Sequence, residues 1–147
     1  MKPLLILILS FSISLSALGQ YHPVVKDSVI EIKMSLSAFG VESDDFPNIE
    51  ADIKFTNDYS LCNESFYNPA NKGSTYTLSK SEINEIRKIL NDSHLETLKT
   101  KYSCDKTDQP TSTTTIYTTM YTYVISDYGL VADCPLADLY RLVYKIR

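Results

Sequence analysis

A strict two-residue alternation occurs twice in the first half of this chain and leaves it little choice but a sheet. Ile49, Ala51, Ile53 and Phe55 alternate with Glu50, Asp52, Lys54 and Thr56, and Ile30, Ile32, Met34 and Leu36 alternate with Glu31, Lys33 and Ser35. Successive side chains of a strand point to opposite faces, so each run predicts a strand with one buried and one solvated face. Between them, residues 40–48 form a polar stretch with Asp44, Asp45 and Pro47, which predicts a loop. A sheet that is apolar on one side only must find an apolar cover.

That cover is legible further along. Ser79 and Glu82 have the spacing of a capping box, and Leu78 and Ile83 that of a hydrophobic staple. Ile83, Ile86, Ile89 and Leu90 then share one helical face as far as Asn91 and Asp92, and Leu95 and Leu98 extend the apolar contact. A second helix opens at Pro135 and carries Leu136, Leu139, Tyr140, Val143 and Ile146 at helical spacing. Thr111–Tyr117 and Tyr121–Ser126, rich in β-branched and aromatic residues, predict a hairpin turning through Thr118, Thr119 and Met120. Thr75–Leu78 predicts a short strand, and the Asn-, Ser- and Tyr-rich run 57–72 a long loop. The expected fold is a two-layer α+β domain: an antiparallel sheet of about five strands with two helices packed on one face, in the order β-β-β-α-β-β-α.

The first twenty residues, MKPLLILILSFSISLSALGQ, predict a secretory signal peptide over 1–19. Lys2 precedes an apolar run from Leu4 to about Leu15, and Ala17 and Gly19 are the small residues that processing requires. Cleavage is expected between Gly19 and Gln20. The run is too short, and too interrupted by serines, for a membrane-spanning helix, so no membrane insertion is expected after cleavage. Residues 20–27 read as a loose lead-in and 28–147 as a single domain, secreted or periplasmic. The chain holds 18 acidic against 14 basic residues, and an acidic balance without clustered Lys and Arg argues against a nucleic-acid partner.

The layout and several local motifs resemble a family of bacterial exported proteins grouped as domain of unknown function 6438. The residues that carry the resemblance are Leu78-Ser79 with Ile83 and Ile86, then Tyr102, then Thr107-Asp108 and Pro110-Thr111-Ser112 before the Thr-rich strand, and last Pro135-Leu136 with Leu139. The resemblance covers roughly 28–147 and implies the fold without an activity. Members often carry a cysteine-flanked glycine after the first strand, whereas Phe39-Gly40 stands here without cysteines.

Candidate chemistry is sparse. In an oxidising compartment Cys104 and Cys134 are the expected disulfide, because a hairpin centred on Thr119 would set them opposite each other. Alternatively Cys134, at a helix start, is a thiolate nucleophile with His94 as its base; His22 lies in the lead-in. The loop carboxylates Asp44, Asp45, Asp105 and Asp108 lack calcium-loop spacing, and no His/Cys cluster suits zinc, so no metal or other cofactor is expected. On the same hairpin register Tyr117, Tyr121 and Tyr123 share one face with Thr113, Thr115 and Ile125, either as a recognition surface or as a cover for the core. The residues therefore point to a non-catalytic binding or interaction module for a protein or envelope ligand. The rival readings are a small envelope enzyme or thiol-redox protein built on Cys134 and an envelope-associated structural protein.

Overall fold

The structure, a computed structural model, describes residues 26–146; the expected leader over 1–19, its cleavage point and His22 lie outside the described residues. Both alternating runs form strands. They are β1 (Val29–Ser37) and β2 (Asn48–Lys54), paired antiparallel with Ile32 opposite Ile53 and Met34 opposite Ala51. β1 differs from expectation at its start. An irregularity between Val29 and Glu31 turns Val29 inward and leaves Ile30 exposed.

The sheet has seven strands rather than about five. The predicted loop 57–72 contains β3 (Tyr59–Ser65), which pairs with β2, and the short edge strand β4 (Ser74–Tyr76) lies beyond it. At the opposite edge β5 (Lys101–Ser103) runs parallel to β7 (Thr122–Tyr128), which is hairpin-paired to β6 (Thr111–Thr118). The spatial order is β4-β3-β2-β1-β6-β7-β5, so β1 is central although it comes first in the chain.

Both helices cover the same face. α1 (Lys80–Asn91) begins with the capping box formed in both directions, Glu82 N–H to Ser79 Oγ at 3.3 Å and Ser79 N–H to Glu82 Oε2 at 2.7 Å. The Ser79 N–H and hydroxyl, both donating to Glu82 Oε2, hold the Glu82 carboxyl below its ordinary range. Ile83, Ile86 and Leu90 of α1 enter one core with Ile32, Met34, Leu36, Ile53, Ile116 and Ile125 of the sheet. The last helix begins as α2 (Leu136–Leu139) and widens into a π-turn over Tyr140–Tyr144, and adds Leu136, Leu139 and Val143 to that core.

Candidate functional site

Where α1 ends, the chain turns away instead of continuing. The Asp92 N–H donates to the Lys88 carbonyl at 2.9 Å and Ser93 Oγ to the Ile89 carbonyl at 2.6 Å, which fixes the exit direction. A 3₁₀ turn, Leu95–Thr97, follows with Leu95 buried as its anchor and Thr97 Oγ1 bonded to the His94 carbonyl. This detour keeps the 92–98 segment apart from the start of α2. A groove of about 600 Å³ opens between them, with Ile89, Leu98 and Pro135 among its apolar lining and Lys88, Asp92, His94, Cys134 and Asp138 among its polar lining.

The wall that carries Cys134 and Pro135 is built from an inward-facing acid. Asp127, fully buried at the end of β7, accepts from the N–H groups of Val131 and Ala132 at 3.0 and 2.9 Å and from the Tyr140 hydroxyl at 3.0 Å. Those bonds wrap residues 129–132 around the carboxylate and deliver the next residues to the groove. Gly129 makes the wrap possible. Its φ is +90°, and a Cβ there would run into the Cys104 sulfur. Beside Asp127, Tyr140 and Tyr144 stack with centroids 5.7 Å apart, and the Tyr144 hydroxyl meets Ser112 Oγ at 2.8 Å. Burial pushes both tyrosine hydroxyls well above their ordinary range.

The structure sorts the sequence-predicted residues plainly. Cys104 and Cys134 are separate thiols, as is the buried Cys62. The register that would pair them is not the one formed: Thr114 faces Ile125 and Ile116 faces Tyr123, one position away from a hairpin centred on Thr119. Cys104 follows β5, on the far side of β7, with its N–H on the Tyr128 carbonyl at 3.1 Å. The same one-position difference separates the tyrosines, because a slip of one residue exchanges the faces of a strand. Tyr117 lies on the solvated face with Thr113 and Thr115, whereas Tyr123 and Ile125 lie on the core face. Tyr121 is exposed at the turn, with its ring 6.3 Å from that of Tyr123.

Cys134 and His94, by contrast, come to the same groove. A hydrogen bond to Asp138 and the negative charge of that carboxylate raise the Cys134 thiol above its ordinary value. The His94 ring, largely in solvent, is engaged through Nδ1 with Glu96 Oε1 at 3.1 Å. Arg141 lies 3.2 Å from Glu85 and 3.8 Å from Asp138. Lys88, Asp92 and Asp138 line the groove although none of them stands out in the sequence as a site residue. The available signal was the polar run from Asn91 to His94, set between the apolar anchors Leu90 and Leu95.

Among the described residues, no three His, Cys, Asp or Glu side chains are grouped as metal ligands, and no helix is long and apolar enough to cross a membrane. The sequence profile of one family, Domain of unknown function (DUF6438), matches residues 44–147. The chain belongs to the DUF6438 family. The match to DUF6438 begins in the loop between β1 and β2, so it leaves out β1, the strand on which both β2 and β6 pair. No curated protein and no solved structure matches the chain.

Proposed function

We propose that this DUF6438 domain is an exported, non-catalytic binding module and that the groove between the end of α1 and the start of α2 receives its ligand. The observation that carries this reading is the groove itself. Its volume, about 600 Å³, exceeds the roughly 270 and 170 Å³ of two other depressions, and apolar Ile89, Leu98 and Pro135 share its lining with polar side chains. Ligand sites combine those two kinds of surface, one for affinity and one for orientation.

The position of Cys134 in the groove invites the rival enzyme reading, but the electrostatics favour binding. A nucleophilic cysteine needs its thiolate stabilised, and Asp138 acts in the opposite direction. A base must also reach the thiol, and the Nδ1 of His94 faces Glu96. Export rests on the predicted leader over 1–19.

The test compares captures by the tagged mature chain from its own envelope fraction with captures by a Cys134→Trp variant. Cys134 is exposed, so the added indole fills the groove without entering the core. Loss of a captured component in the variant is the expected result. An undiminished capture by Cys134→Trp rules the groove out as the site, and a low-pKa reactive thiol at Cys134 in a thiol titration turns the reading toward an enzyme.

A further inference from the structure

Resting on that reading, we propose that the ligand is a basic peptide segment of a partner protein, with an apolar residue seated on Ile89, Leu98 and Pro135 and Lys or Arg side chains on the rim. The charges around the groove favour such a segment. Glu85, Asp92 and Asp138 line the groove against a single cation, Lys88, and Arg141 partly offsets Glu85 and Asp138 from outside the lining. Across Ser93, which lines both concavities, a smaller depression adds Asp27 and Glu96 and no cation. Five carboxylates therefore face two adjoining concavities that contain one lysine. The whole chain, with 18 acidic and 14 basic residues, is far more evenly balanced.

The backbone adds to this field. The carbonyl end of α1 lies at Asn91, where the helix dipole places partial negative charge. A cationic ligand meets both contributions, and an anionic one is repelled by both. Asp92 makes no ion pair among the described residues, so its charge is available to a ligand.

The test uses an array of random-sequence ten-residue peptides, graded in net charge, probed with the mature chain. Selected binders are then titrated against three proteins: the native chain, the Asp92→Asn/Asp138→Asn double variant and Cys134→Trp. Asp92 and Cys134 are exposed and Asp138 is half-buried at the rim, and circular dichroism checks that each variant folds. The expected result is preference for basic peptides with an apolar residue. Affinity is expected to fall about tenfold or more both in the double variant and on moving from low to molar salt, as exposed charge pairs require. Peptides that bind irrespective of their charge, or only when acidic, and that Cys134→Trp excludes, overturn the basic ligand while leaving the groove in place. Binding that Cys134→Trp leaves intact, or no binding by any peptide, overturns both.

Discussion

The helical layer has two ends that use the same chemistry to opposite effect. Under the last helix, Asp127, Tyr140, Tyr144 and Ser112 are buried and bonded mainly to one another and to the backbone. Thr114 Oγ1, buried without a partner, is the exception there. At the end of α1, carboxylates, a histidine and a thiol face an open groove. The buried set is committed to the fold, and the groove set is left open to solvent. A buried polar group must be satisfied within the protein, and a rim group need not be.

The buried end is most sensitive at Asp127. Asp127→Ala leaves the N–H groups of Val131 and Ala132 and the Tyr140 hydroxyl without their acceptor, and is expected to cost about 4 kcal/mol, at 1–3 kcal/mol per orphaned group. Urea denaturation checks it; a loss below about 1 kcal/mol would mean that the closed end is not closed. Tyr144→Phe removes one buried bond, to Ser112, and is expected to cost about 1.5 kcal/mol by the same measurement. At the open end, Asp92→Asn should stay within about 0.5 kcal/mol of native, because the side chain is exposed and makes no ion pair among the described residues.

The smallest effect concerns the Cys134 thiol. Asp138 accepts its hydrogen bond and repels its thiolate, so labelling by a disulfide reagent should rise only above the pH at which an ordinary cysteine ionises. Asp138→Asn removes the charge, lowers the thiol's ionisation pH and speeds labelling near neutrality. Slower labelling in that variant would contradict the assigned cause.

Legibility in the sequence follows how local each determinant is. The alternations of β1 and β2, the Ser79–Glu82 box and the Pro135 start are complete within a few residues, and they form, apart from Ile30, which the irregularity at the start of β1 leaves exposed. β3 was hidden because its inward positions are Ser60 and Cys62 while Leu61 stays only half-buried on the outer side, which inverts the usual contrast. β5 is three residues long and exists because β7 offers it an edge. The hairpin register hung on one residue of turn geometry, and with it went the shared tyrosine face and the Cys104–Cys134 pairing. The groove was the least legible of all. It arises from how far apart α1, the 3₁₀ turn and α2 are held, and Asp127, which holds one wall, carries no local signal of that role.

Hydrogen exchange of the chain, with and without a component captured as proposed above, bears on whether a ligand occupies the open end. Occupancy of the groove should slow exchange only in segments spanning 85–98 and 131–138, with the solvated sheet face around 48–54 and 111–118 unchanged. Protection of the sheet face with the groove segments unaffected would contradict it.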